Sequence, residues 1–275
     1  MFLAPLLLAA CAALQSPAQA PAETPGSDAR ALFTRVCAAS GPAERAPLTA
    51  FRLVAEARTR NGVQTNDLEV DYRYLAPDCI RFRLPSKNET GRFGPEEKQY
   101  WLKSGDETVF LAGREYKEDR RQIDDMLALA RNYIALSNPA SLKLEALELL
   151  SAAPPDLGEA IAKKTKKLTW IALESPDFAL VRREGTLPKG TYRVELGIDS
   201  KDLPAAVVIR AKSDASTAPL FVFLSDYRET SGFKLPMQLH VHVKDGPHFA
   251  EFASQEVYVK TAELRPSFSV KDFQP

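Results

Sequence analysis

What this 275-residue sequence lacks is an excess of charge of either sign: Lys+Arg and Asp+Glu are both 36. A formal charge of zero leaves no basic footprint for a phosphate backbone, which excludes nucleic acid as a partner. No GxSxG, HExxH, P-loop or GxGxxG pattern occurs, and no two carboxylates stand out as an acid/base couple. The sequence therefore names no catalytic residue and calls for no cofactor; the expectation is a protein that is not an enzyme. No repeat of fixed period is present, which excludes a solenoid. Cysteine is scarce, three in all, and nothing resembles CxxC.

The apolar run LAPLLLAACAAL at residues 3–14 is too short for a bilayer span. It fits the hydrophobic region of an export signal, although no Lys or Arg precedes it. Two processing sites compete. Leu8-Ala9-Ala10-Cys11 matches a lipobox, in which Cys11 is acylated and anchors the chain to a membrane; Ala18-Gln19-Ala20 matches an ordinary cleavage site but is followed by Pro21. The Pro/Ala/Ser-rich stretch that follows has the composition of an extended tether. The expected organisation is an export signal over 1–20, a tether over 21–27 and a single domain over 28–275, located in the periplasm or cell envelope. In that oxidising setting Cys37 and Cys79 read as a disulfide or as two small buried apolar groups.

What is there is 45% hydrophobic, enough for a sizeable core. SDARALFTRVCAAS begins on an N-capping Ser27 and puts Leu32, Phe33 and Val36 on one side, predicting an amphipathic helix that ends before Gly41-Pro42. FRLVAEART, NDLEVDYRYL and CIRFRLP then alternate apolar with polar residues, and Asn61-Gly62 predicts a hairpin between the first two. A further hairpin is expected in KQYWLKSGDETVFLAG. The period then lengthens toward 3.6: Asp119 and Gln122 form a capping box, and Ile123, Met126, Leu127, Ala130 and Ile134 mark one helical face. ASLKLEALELLSAA reads as a second helix of this insert. KLTWIALES, FALVRREG, TYRVELGID, AAVVIRAK, LFVFLSDYRE, MQLHVHVK, HFAEFAS and EVYVKTAEL follow as short strands. The total, roughly a dozen strands at hairpin spacing with inserted helices, suits one curved antiparallel sheet.

Residues 226–236, DYRETSGFKLP, join two of those strands, with Ser231-Gly232 as the turn and Pro236 restricted to an edge or a strand start. With the preceding helix, three strands, Tyr-Trp strand before SGDE and helical insert, this stretch resembles the hairpin of the LolA/LolB-like superfamily of periplasmic lipoprotein carriers. The matching residues are Asp226, Tyr227, Arg228, Gly232, Leu235 and Pro236, and the resemblance runs from about Ser27 to the end.

It implies a mainly β (α+β) fold: a curved antiparallel sheet forming an unclosed half-barrel, with two or three helices on the concave face. It further implies a hydrophobic cavity for lipid or acylated lipoprotein. By alternation the lining would be Phe51, Leu53, Leu68, Val70, Tyr72, Tyr74, Ile80, Phe82, Trp101, Trp170 and Val194, with Ile123, Met126, Leu127, Ala130 and Ile134 as a lid. The chain departs from the carrier branch at Ala76, where a basic residue commonly precedes the proline. A related branch uses the fold in envelope sensing, so a sensor or scaffold with a filled cavity is the alternative.

Three further features invite a function. His240, His242 and His248 fall within nine residues, and i, i+2 positions on a strand share a face, as a metal site needs. Leu239, Val241 and Val243 form the apolar face of the same strand, so His240 and His242 are expected in solvent, with His248 on the other side and no metal bound. Lys163-Lys164-Thr165-Lys166-Lys167 reads as a solvated loop or a contact with anionic lipid. Asn88-Glu89-Thr90 matches a glycosylation sequon.

Overall fold

The computed structural model describes residues 27–41, 48–61, 64–76, 79–84, 89–93, 99–104, 107–112, 128–180, 190–212 and 217–273. Helix α1 (Ser27–Ser40) leads into an antiparallel meander of β1 (Ala50–Asn61), β2 (Gln64–Leu75), β3 (Cys79–Leu84), β4 (Glu89–Phe93), β5 (Gln99–Ser104) and β6 (Glu107–Ala112). Helix α2 covers 128–137. A second meander begins with β7 (Ala146–Leu149), passes through α3 (Gly158–Thr165) and continues in β8 (Thr169–Ser175), β9 (Tyr192–Ile198), β10 (Pro204–Ala211), β11 (Leu220–Thr230) and β12 (Phe233–Asp245). Short β13 (His248–Phe249) pairs only with β12, and β14 (Gln255–Leu264) returns to lie between β1 and β12.

The result is one 14-stranded antiparallel sheet in the order β6-β5-β4-β3-β2-β1-β14-β12-β11-β10-β9-β8-β7. Strand β14 welds the two meanders together. Its ends, β6 and β7, do not pair with each other, so among the described residues the sheet stays open. This is the open, mostly antiparallel architecture with helices against the sheet that the sequence led one to expect.

The β11–β12 hairpin shows how the local chemistry works. Ser231 and Gly232 take φ of 51° and 80°, the paired left-handed conformation of a two-residue turn whose twist matches that of the strands. Thr230 and Phe233 close it. Pro236 lies inside β12 opposite Tyr227, but β14 pairs with β12 only from Gln238 onward. At Pro236 the strand is locally an edge, so its missing N–H leaves no ladder bond unmade.

Apolar packing covers the inner face and, over β8 to β11, part of the outer face. On the inner face Leu32, Phe33 and Val36 of α1 and Ala130 and Tyr133 of α2 pack with Phe51, Tyr72, Ile80, Leu173, Val194 and Leu235 in one cluster that draws on both meanders. On the outer face Leu157, in the 3-10 turn before α3, and Ile161 of α3 pack with Trp170, Ala206, Val208, Phe221 and Phe249. Gly197 belongs to that second layer: a Cβ there would stand 3.0 Å from the Trp170 ring and 2.8 Å from Leu168. Cys37 is half-buried and Cys79 buried, and no disulfide joins them.

Several expectations are corrected. ASLKLEALELLSAA is not helical: it holds a single turn of 3-10 helix at Pro139–Ser141 and then β7. Leu147 and Leu149 pair with Leu173 and Ile171 of β8, and this tertiary pairing overrides the helix propensity of a Leu/Glu-rich segment. HFAEFAS supplies only the two residues of β13, and Phe178–Leu180, expected in a strand, are buried coil. The run 163–167 is the end of α3 and the turn after it rather than a plain loop. The capping box at Asp119 and Gln122, the face residues Ile123, Met126 and Leu127, and the leader with Cys11 lie outside the described residues, as does Asn88 of the sequon.

Candidate functional site

The inner face is built around Phe51. Its ring centroid lies 5.8 Å from Tyr72, 5.5 Å from Tyr74 and 5.7 Å from Tyr133, which α2 lowers onto the sheet. Cross-strand register makes the group: Phe51 faces Tyr74 across β1–β2, and Tyr72 and Tyr74 face Phe82 and Ile80 across β2–β3. Burial pushes the phenols of Tyr72, Tyr133 and Tyr227 upward, so all three stay neutral. Tyr227 donates to the carbonyl of Pro204 at 2.5 Å, which satisfies its hydroxyl inside the fold.

Of the residues expected to line a cavity, Phe51, Tyr72, Tyr74, Ile80, Phe82 and Val194 share this inner cluster, with half-buried Leu53 and Val70 packed against it. Trp170 does not. It alternates with Ile171 on β8 and packs with α3 on the outer face, which corrects its assignment. Leu68 and Trp101 stand on β2 and β5, opposite Ala57 and Arg92 respectively; their side chains lie outside the described residues. Of the lid residues, Ala130 is buried and Ile134 half-buried against the inner cluster.

Register also draws one continuous apolar row. Leu147, Leu173, Val194, Ile209, Leu220 and Val243 are successive partners across β7, β8, β9, β10, β11 and β12. Val194 and Ile209 are fully buried, Leu220 is half-buried and Val243 is 48% exposed. An apolar track thus leads from the surface into the core.

Sequence reading missed two residues of α2. Tyr133 lies three residues after Ala130 on the same helical stripe, a spacing that could have found it. Asn132 donates from Nδ2 to the carbonyl of Ala179 and accepts from the Ala179 N–H, both at 2.9 Å. An Asn inside a helical pattern, where its propensity is poor, was the signal. At the end of α2 the side-chain polar atoms of Ser137 and Asn138 are buried without a hydrogen-bond partner.

The outer face carries the polar chemistry. Arg210 reaches Asp156 through two hydrogen bonds, at 2.9 and 2.6 Å, and Glu195 through a third, while Lys244 adds 2.7 Å to Asp156. Burial pushes the Asp156 carboxyl up, but the hydrogen bonds from Arg210 and Lys244 outweigh it and bring its pKa to about 2. His242, expected in solvent, is buried: α3 and the 249–253 turn cover the face that simple alternation leaves wet. Its Nδ1 lies 2.9 Å from the Ala250 carbonyl, and burial lowers its pKa, so it is neutral near pH 7. His240 is half-buried and His248 exposed. Among the described residues no three His, Cys, Asp or Glu side chains come together as a metal site. Beside them a cavity of about 410 Å³ is lined by Lys164, Phe223, His240, His242, Glu251, Phe252, Ala253 and Glu256.

No family model matches the sequence, and no curated protein matches it. Among solved structures, a LolA superfamily protein from Nitrosomonas europaea is 12% identical, with 90% of this chain and 97% of that one covered and a TM-score of 0.48. A DUF1329 family protein from Desulfovibrio piger is 12% identical, with 91% and 97% covered and a TM-score of 0.45. A domain named for outer membrane lipoprotein sorting, from Vibrio parahaemolyticus, is 8% identical, with 90% and 96% covered and a TM-score of 0.46.

Proposed function

We propose that this chain is a non-enzymatic carrier or chaperone of the cell envelope that binds lipid or lipoprotein acyl chains along the inner face of its sheet. The observation that carries the reading is the apolar row from exposed Val243 through Leu220 to fully buried Ile209 and Val194. An acyl chain entering along that row would leave water at about 0.8 kcal/mol per methylene, without requiring any specific hydrogen bond. Room for it would come from displacement of α2. The unpartnered side-chain groups of Ser137 and Asn138 favour such movement, because each costs the closed state about 1–3 kcal/mol and would be hydrated on opening.

The export signal and the acylated Cys11 belong to this reading as its route to the envelope, and labelling with a palmitate analogue tests the anchor. The second reading, a sensor or scaffold with a filled interior, draws support from the Phe51, Tyr72, Tyr74 and Tyr133 rings packed together under α2. Titration with a fluorescent fatty acid separates the two. Saturable uptake with a blue-shifted emission supports the carrier; refusal of the probe by a folded chain supports the scaffold.

A further inference from the structure

The outer face holds a feature that acyl binding does not use. Helix α3 buries Ile161 and Thr165 against the sheet, and this orientation turns Lys163 and Lys164 to solvent; Lys166 and Lys167 follow, equally exposed, in the turn that leads into β8. Four other cations of this face have carboxylate partners: Arg193 with Glu148 and Glu195, Arg210 with Asp156 and Glu195, Lys212 with Glu174, Lys244 with Asp156. None of the four lysines forms an ion pair with a described residue. Two carboxylates, Glu159 and Glu251, share a groove of about 750 Å³ with Lys163 and Lys164. With Glu256 on the adjoining cavity beside Lys164, four ammonium groups stand against three carboxylates, a small local excess of positive charge on a chain whose formal charge is zero.

Across the adjoining cavity from Lys164 stands Phe252, 69% exposed. Its position is fixed. The 250–254 turn is tied back to β12 at both ends, by the Ala250 N–H to the Val243 carbonyl at 2.9 Å and the Ser254 N–H to the Val241 carbonyl at 2.8 Å. Its neighbours Phe249 and Ala253 are buried. A phenyl ring held out of a pinned turn, sharing a cavity with Lys164 of a lysine run that makes no ion pair with a described residue, combines the two signals that reversible membrane attachment requires.

We infer that the ledge formed by Lys163, Lys164, Lys166, Lys167 and Phe252 docks this chain on an anionic phospholipid bilayer. The ammonium groups meet lipid phosphates at the surface, and the phenyl ring enters the boundary between headgroups and acyl chains. Each lysine near such a surface raises partitioning roughly fivefold, offset in part by Glu159, Glu251 and Glu256, and the attraction fades beyond about 10 Å at moderate salt. The inference does not depend on acyl binding: the ledge is on the opposite face from Phe51 and stands even for a scaffold.

The test is co-sedimentation of the full chain with phosphatidylcholine vesicles, neutral or carrying about 30% phosphatidylglycerol. Expected is binding to the anionic vesicles only, released by about 0.5 M salt. Replacing all four lysines (Lys163→Gln, Lys164→Gln, Lys166→Gln, Lys167→Gln) should weaken binding at least tenfold. Phe252→Ser should weaken it several-fold while leaving its salt dependence intact. All five positions are exposed, so each variant should melt with the wild type, and circular dichroism checks that. The inference is overturned by equal binding to neutral and anionic vesicles, by no binding at all, or by a folded lysine variant that binds as the wild type does. It is equally overturned if inorganic phosphate at matched ionic strength displaces the chain, which would mark a small-anion site instead.

Discussion

Asn132 holds Ala179 at both of its backbone polar groups, donating to its carbonyl and accepting from its N–H at 2.9 Å each. One side chain thereby imitates a strand partner and ties α2 to the buried coil of Phe178–Leu180. The Tyr133 hydroxyl of the same helix reaches the Pro236 carbonyl more loosely, at 3.5 Å.

Asn132→Ala strands two buried backbone groups, so it should cost about 2–4 kcal/mol in denaturant unfolding. In the carrier reading the same change should also speed uptake of a fluorescent fatty acid under conditions where the variant is still folded. Lower stability with no change in uptake would mean that α2 is fixed core.

Val243→Asp tests the proposed entrance with little structural cost. The side chain is already 48% exposed, so stability should change by no more than about 0.5 kcal/mol. A charge at the mouth of the apolar row should nevertheless lower fatty-acid affinity roughly tenfold, since an acyl chain would have to pass it while desolvating it. Unchanged affinity in the titration would place the entrance elsewhere.

Acid should weaken the outer face in two windows. The pKa of Asp156 is lower folded, about 2, than unfolded, near 3.9. Its contribution is therefore complete above about pH 5 and is lost as pH falls from 4 toward 2, worth about 1–2 kcal/mol after solvent screening. His242 has the same sign: its folded pKa is depressed by burial, so stability is full above the unfolded value near 6.5 and declines below it. Asp156→Asn should shrink the lower window, to which Asp71 beside Arg52 also contributes, and His242→Gln should remove the upper, read from urea midpoints as a function of pH.

Gly197→Val should cost about 2 kcal/mol or more, because its branches enter space occupied by Trp170 and Leu168. Near-ultraviolet circular dichroism should report the displaced indole. A neutral effect would mean that the α3 layer is loosely packed.

The strands were legible because alternation and turn residues agree: the hairpin at Ser231-Gly232 and the shared apolar face of Phe51, Tyr72 and Phe82 follow from local chemistry alone. Segment 140–153 was not, because Leu147 and Leu149 carry a pattern that suits a helix as well as a strand, and only the free edge of β8 decides. His242 and Trp170 were misplaced for a related reason. Alternation assigns two faces to a strand but does not say that α3 and the 249–253 turn make the second one dry. The inner aromatic group was half legible, since Phe51 and its strand partners follow from the pattern while Tyr133 arrives from a helix whose approach is a tertiary fact.

The central claim is tested most directly by native mass spectrometry of the gently purified full chain. The carrier account predicts adducts of fatty-acid or phospholipid mass that survive replacement of the four outer-face lysines and are reduced by Val243→Asp. A bare polypeptide mass, obtained from folded protein that has been offered lipid in excess, would contradict it.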